Sequence, residues 1–309
     1  MNRRKLVAGL VTTASAATLA SVAGRATESA APFAGQGAAG ATATSRPPKR
    51  FAATNCTALV TGSNRGVGLG FVEVLLERGA RRVYATGRRM KNLEAVVALD
   101  PKRVVPLVLD VTNDAQRRAA AAAAQDVTLL INNAAYPGSE TASERRFRSA
   151  SSLDDVKAVM DTNCWSPAEL ARLFIPRLIA NGGGAIVNIL SVGAFFCLPE
   201  FSSYSVSKAA AAMMTAGLRA ETDRDPVQVC AVVTGGVRTR ASPVGSKGGV
   251  SPAEHAIEVL DAMARGETEI YAAGARAFVD RIRSDPQAFE RTVIERFHSS
   301  PVTIAPYDG

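Results

Sequence analysis

Histidine is nearly absent from this 309-residue chain, which has two, His255 and His298. A histidine-based triad or a histidine metal site needs better placed residues. His255 sits in Ser251-Pro252-Ala253-Glu254-His255, the capped start of a helix, and His298 stands near the C-terminus. Neither has a metal-ligand partner at useful spacing, so no metal is expected. Cysteine is scarce too. Cys56, Cys164, Cys197 and Cys230 show no C-x-x-C spacing and read as four free thiols, with Cys56 and Cys230 in strands as small apolar residues. There is no internal repeat, and the one apolar stretch near the N-terminus, residues 6–23, is short and rich in Ala, Thr and Ser, a poor membrane span. A basic body is missing as well. The net charge is +8, but residues 1–50 hold seven Lys/Arg against one acid, which is +6 and leaves +2 for residues 51–309. A nearly neutral body excludes an electrostatic nucleic-acid surface.

The length and the 47% hydrophobic content suit one large α/β domain. Arg3-Arg4-Lys5, the mild apolar stretch and Ser21-Val22-Ala23 read together as a twin-arginine-like signal over residues 1–23 and export to the periplasm. The other reading is a basic tail on a cytoplasmic protein. Residues 24–52, rich in Ala, Gly, Thr, Ser and Pro, read as a flexible linker, and 53–309 as a single catalytic domain. From Cys56 on, apolar strands at 57–60, 82–85, 104–109, 128–131, 185–190, 227–233 and 269–272 alternate with helical stretches, which favours a parallel sheet covered on both faces.

After the first strand comes Thr61-Gly62-Ser63-Asn64-Arg65-Gly66-Val67-Gly68, and a helix pattern starts at once. Glycines there permit a tight turn and close approach to a phosphate, and the helix N-terminus offers free N–H groups to a pyrophosphate. The second strand ends in Thr86-Gly87-Arg88-Arg89, without the acid that a 2′-hydroxyl would favour. Arg88 and Arg65 suit a 2′-phosphate instead, so NADP(H) is favoured over NAD(H). Arg89 is either a further contact or a solvated surface charge.

Tyr204 and Lys208 are four apart in a helical stretch and so share a face, and Ser191 closes the apolar run 185–190 upstream. That set can place a phenol, an ammonium and a hydroxyl around one carbonyl. A free tyrosine has a pKa of about 10, and bringing it near neutrality takes roughly 3–4 kcal/mol of differential stabilisation, which a lysine cation can help supply. Between Ser191 and Tyr204 lie Phe195, Phe196, Leu198 and Phe201, as pocket lining or as core. Residues 241–250, glycine-rich, read as a mobile segment over the site. An apolar ketone, aldehyde or secondary alcohol is the expected substrate.

In this order and spacing, Thr61-Gly62-x-x-x-Gly66-x-Gly68, Asp110-Val111, Asn132-Asn133-Ala134-Ala135, Asn163, Ser191, Tyr204-x-x-x-Lys208 and Gly235-x-Val237-x-Thr239 resemble the short-chain dehydrogenase/reductase family over about residues 54–275. The resemblance implies a Rossmann-like, doubly wound three-layer sandwich with a seven-stranded, mostly parallel sheet. It also implies roles. Tyr204 would be the general acid/base, and Lys208 would bind the nicotinamide ribose and lower the tyrosine pKa. Ser191 would orient the carbonyl, and Asn163 would hold a water in a proton relay. Asp110 and Val111 would contact adenine, Asn132 would hold the central strand and cofactor, and Thr239 would bond the nicotinamide side. A homodimer or homotetramer through the long helices around Asn163 and Tyr204 is implied too. Two positions depart from the family pattern: Ala135 stands where glycine is usual, and Thr234 where proline is usual. An NADP(H)-dependent carbonyl reductase or alcohol dehydrogenase is the leading expectation. A 3-oxoacyl carrier-protein reductase and a cofactor-binding regulatory protein with vestigial catalysis are the alternatives.

Overall fold

A computed structural model of the protein describes residues 49–239 and 249–299. The expected signal, most of the expected linker and residues 241–248 of the expected mobile segment lie outside the described residues. Seven strands, β1 (Thr57–Val60), β2 (Arg82–Gly87), β3 (Val104–Val108), β4 (Leu129–Asn132), β5 (Gly184–Ile189), β6 (Val227–Thr234) and β7 (Glu269–Ala272), form one sheet in the order β3-β2-β1-β4-β5-β6-β7. Every neighbouring pair is parallel. Nine helices are described: α1 (Gly66–Glu77), α2 (Glu94–Val97), α3 (Asp114–Ala123), α4 (Asp154–Met160), α5 (Ser166–Ala180), α6 (Ser202–Glu221), α7 (Pro252–Arg265), α8 (Ala275–Ser284) and α9 (Pro286–Ser299).

The strands read as unbroken apolar runs because both of their faces are covered. Side chains alternate across a strand, and the two sets enter different cores. Ala58, Val60, Leu129, Ile131 and Val187 pack with Phe71 and Leu75 of α1 and Leu260 and Met263 of α7. Leu59, Leu130, Ile186 and Val229 face the other way, onto Leu170, Phe174 and Leu178 of α5. The expected doubly wound sandwich is therefore present, with an all-parallel sheet. β1 leads back to β2 and β3 on one side, while β4 begins the run to the other edge. Open sheets of this kind place a crevice at that switch, outside the strand C-termini.

α7 begins with the expected capping box: Glu254 N donates to Ser251 Oγ, and Ser251 N donates to the Glu254 carboxylate at 2.6 Å. That start buries His255 completely, edge-on to Phe71, with its Nε2 3.1 Å from Thr234 Oγ1. Burial pushes the imidazole pKa down to about 4 from its usual 6.5. The unfolded chain therefore takes up this proton first, and stability falls as pH drops from 6.5 towards 4, by up to about 3 kcal/mol. His255→Gln is expected to flatten that limb relative to the unaltered protein, while stability above pH 7 changes less. Denaturant titrations between pH 4 and 8 measure the difference, and parallel curves would refute it.

Candidate active site

The C-terminal ends of the strands open onto a cavity of about 1640 Å³. A single small-molecule site is typically about 300–1,000 Å³, so this one has room for two ligands.

The glycine-rich turn after β1 is one wall. Thr61 Oγ1 accepts from the backbone N–H groups of Asn133 and Ala134, each at 2.9 Å. Asn133 Nδ2 donates back to the carbonyls of Thr61 and Gly62. Ser63 Oγ accepts from Thr86 N at 2.8 Å. The turn is thus tied to β4 on one side and β2 on the other. Gly62 has φ +62°, the left-handed region. A Cβ on Gly68 would lie 2.4 Å from the Gly62 carbonyl oxygen, so only glycine lets α1 come this close. Arg65 is the N-cap of α1, without a side-chain cap, and the first turn carries no acid. The N–H groups at that end are not consumed by a protein carboxylate.

Of the residues singled out for a cofactor, Gly62, Asn64, Arg65, Gly66, Val67, Arg88, Asp110, Val111, Gly235, Val237 and Thr239 line the cavity, with Tyr204 and Lys208. Thr61, Ser63, Gly68 and Asn132 do not; they lie buried behind it. Asn132 Nδ2 donates to Asn188 Oδ1 at 2.8 Å, fastening β4 to β5. Arg88 is exposed at the end of β2 beside Gly87 and Asn92, whereas Arg89 stays outside the cavity. Ala135 has no positive φ, so this backbone course does not need a glycine there. Thr234, at the other departure, lines the cavity with its hydroxyl bonded to His255.

Opposite the turn stand Ser191, Tyr204 and Lys208. Ser191 follows β5 and caps a short 3₁₀ turn, accepting from Gly193 N at 3.1 Å. Tyr204 lies in the first turn of α6, and Lys208 follows one turn later on the same face. Both Ser191 and the phenol face the cavity. Burial raises the pKa of Tyr204 above its usual 10, and the Ser191 hydroxyl pulls it partway back. Lys208 is buried; its Nζ donates to Ile189 O at 2.8 Å and lies 5.6 Å from the Tyr204 ring centre. Burial lowers the lysine pKa to about 8, with the Cys164 thiol opposing weakly. The expected lowering of the tyrosine pKa by Lys208 is therefore absent from this arrangement of protein groups. Burial and the Ser191 hydroxyl set the shift of the phenol, while the Lys208 ammonium is directed at a backbone carbonyl.

Asn163 is buried in a π turn, Asp161–Trp165, between α4 and α5, and does not line the cavity. Its Oδ1 accepts from Tyr136 N, and its Nδ2 donates to Tyr136 O and Ser207 Oγ, all within 2.9 Å. Both amide hydrogens are used, so the side chain pins the Tyr136 loop to α6. The thiols of Cys56 and Cys230 are buried and pushed up to about 12, as befits packing residues. Among the described residues no three His, Cys, Asp or Glu side chains group as a metal site, and no helix is long and apolar enough to cross a membrane.

Phe196, Leu198 and Phe201 line the cavity, whereas Phe195 packs against Tyr271 and under Arg283. Several lining residues escaped sequence reasoning. Asn133 was within a quoted motif, and its role in locking the turn shows only in the bonds to Thr61 and Gly62. Tyr136 follows the same motif. Phe278, Arg281, Phe289, Thr292 and Arg296 come from α8 and α9, which carry no motif and reach the site only through tertiary folding.

Residues 56–246 match the family model described as short chain dehydrogenase. A ketoacyl reductase, HetN, of Nostoc sp. is 31% identical over 232 residues, 70% of this chain and 78% of the relative. A 1-deoxy-11-beta-hydroxypentalenate dehydrogenase of Streptomyces avermitilis is 31% identical over 190 residues, 59% of this chain and 69% of the relative. Among solved structures, a short chain dehydrogenase from Burkholderia cenocepacia in complex with NADP is 38% identical, with a TM-score of 0.70 over 79% of this chain and 99% of that one.

Proposed function

The chain belongs to the short-chain dehydrogenase family, and on that premise we propose that it is an NADP(H)-dependent oxidoreductase acting on a ketone or aldehyde, or on the matching secondary alcohol. One observation carries the reading: Ser191 and Tyr204, with Lys208 one turn on, share a cavity with the glycine-rich turn. The dinucleotide, when bound, supplies or accepts the hydride. In reduction Tyr204 gives its phenolic proton to the substrate oxygen as C=O becomes CH–OH; in oxidation its phenolate takes that proton. Ser191 donates to the oxygen where charge develops. Lys208 holds a positive charge behind the phenol. Asn163 acts through its main chain, in a π turn of the kind that recurs at functional sites, as the holder of a relay water.

The residues present fit NADP(H). The start of α1 with Asn64, Arg65, Gly66 and Val67 offers N–H groups to a pyrophosphate, and Gly62, whose own N–H is donated to Thr86 Oγ1, offers space. Arg65 and Arg88 favour a 2′-phosphate, Asp110 and Val111 flank the adenine end, and Gly235, Val237 and Thr239 the nicotinamide end. Thr61, Ser63, Gly68 and Asn132 shape these walls from behind. The NADP complex of the Burkholderia cenocepacia structure supports the preference. The test is a panel of ketones, aldehydes and 3-oxoacyl thioesters with NADPH and NADH, followed by nicotinamide absorbance. Turnover at least about tenfold faster with NADPH is expected, about the worth of one charge-assisted bond. Preference for the thioesters would favour a ketoacyl reductase, as the Nostoc relative is described. Cofactor binding without any turnover would favour a regulatory protein instead.

We further infer export through the twin-arginine-like start and assembly through α5, α6 and the turn that leads into α5, where Trp165, Val206 and Met213 are exposed. Fractionation is then expected to find a shortened chain, beginning near Gly24, outside the cytoplasm, and light scattering to give two or four chains. A full-length cytosolic monomer would overturn both.

A further inference from the structure

We propose that the substrate joins a bulky apolar body, of the size of an aromatic ring system, to a carboxylate remote from its carbonyl, with Phe196, Phe278 and Phe289 holding the body and Arg281 the carboxylate. The proposal rests on the carbonyl reductase reading of this site.

The three phenylalanines form one wall. Phe196 lies 5.5 Å from Phe278 and 5.2 Å from Phe289, ring centre to ring centre, and the last two are 5.6 Å apart. All three line the cavity and keep part of their surface open, 36% in the case of Phe278. Mutual edge contacts hold the rings in place, so the wall is formed before a ligand arrives. An apolar wall left in water is unfavourable, and burying an apolar body against it relieves that.

The wall also has a direction. Phe196 is in the loop that begins at Ser191, next to the reacting groups. It touches Phe278 on α8, and Arg281 lies three residues further along α8, on the same helix face. Carbonyl site, aromatic wall and guanidinium thus follow one another. The part of the cavity lining that comes from α8 and α9 contains Arg281 and Arg296 and no Asp or Glu. Arg296 pairs with the buried carboxylate of Glu200 at 3.3 Å. Arg281 has no carboxylate partner among the described residues. Its charge is also badly placed for a cofactor phosphate. α8 follows β7, four strand positions from β1 in the sheet order, roughly 19 Å at the usual strand spacing of about 4.8 Å. A guanidinium at the end of an apolar wall suits a carboxylate on the far end of the substrate.

The experiment compares aryl oxo-acids with their methyl esters and with amine-bearing analogues, using NADPH, in the unaltered protein, Arg281→Gln and Arg281→Glu. The expected result is an acid-to-ester ratio of kcat/KM well above one. Arg281→Gln is expected to lower that ratio about 10–100-fold, mainly through KM for the acid, the scale of one hydrogen bond to a charged group. Arg281→Glu is expected to turn the preference towards the amine, a gain that a misfolded variant would not produce. Equal use of acid and ester by the unaltered protein, or a ratio unmoved in both variants, overturns the proposal and leaves the reductase reading standing. Absence of turnover with every carbonyl overturns both.

Discussion

Tyr204→Phe is expected to lower kcat/KM by about 10²–10⁴, the range of a positioned general acid. The change removes one oxygen and leaves the ring at the cavity wall, so lost activity would report lost proton transfer. Among the described residues the cavity contains one other phenol, Tyr136, and it is badly suited to take over. Tyr136 donates to Asp155 Oδ1 at 2.9 Å, and burial together with that carboxylate pushes its pKa up to about 12. For Tyr204 the neighbouring group is Ser191, a neutral hydroxyl that pulls its pKa back from the rise that burial causes. Steady-state rates of the two variants with one reducible carbonyl separate the two phenols. Full activity in Tyr204→Phe would remove the proposed chemistry, and a deeper loss in Tyr136→Phe would move the proton transfer to Tyr136.

The sheet was legible because burial on both faces leaves a plain mark: the seven apolar runs coincide with β1 to β7 within two residues at each end. The misplacements are small and physical. β2 runs on to Gly87 because Thr86 and Gly87 pair with Leu107 and Val108 of β3, contacts between residues more than twenty apart in the chain. The glycine turn and the Ser–Tyr–Lys set were legible because local spacing alone brings them to one edge of a parallel sheet. The proton inventory was not. Whether Lys208 lowers the tyrosine pKa depends on how deeply both are buried and where the ammonium points, and a four-residue spacing contains neither quantity. The α8–α9 wall was hidden for a similar reason. Phe278 and Phe289 meet Phe196 across about eighty to ninety residues, and an amphipathic helix announces that it packs without saying against what.

Lys208→Met is expected to cost about 10²–10³ in kcat/KM and to make the protein more stable at pH 7. Burial lowers the ammonium pKa from 10.5 to about 8. Between these values the unfolded chain binds more protons than the folded one, so stability rises with pH across that window. Below about pH 8 the cost of burying the charge is present in full, about 3 kcal/mol. Methionine fills a similar volume without a charge, but it leaves Ile189 O without its Nζ donor, at about 1–2 kcal/mol. The balance at pH 7 is a gain of about 1–2 kcal/mol, or about 2–6 °C in Tm, and it shrinks as pH approaches 10. The loss of rate follows from the proposed role of Lys208 in binding the nicotinamide ribose: without that contact the hydride donor is no longer held in place over the substrate. Thermal unfolding at pH 7 and pH 10, beside the rates, decides the matter. A variant that is both inactive and less stable at pH 7 would make Lys208 a structural residue; one that is inactive and more stable would mean that the fold bears a buried cation because the reaction at this site needs one.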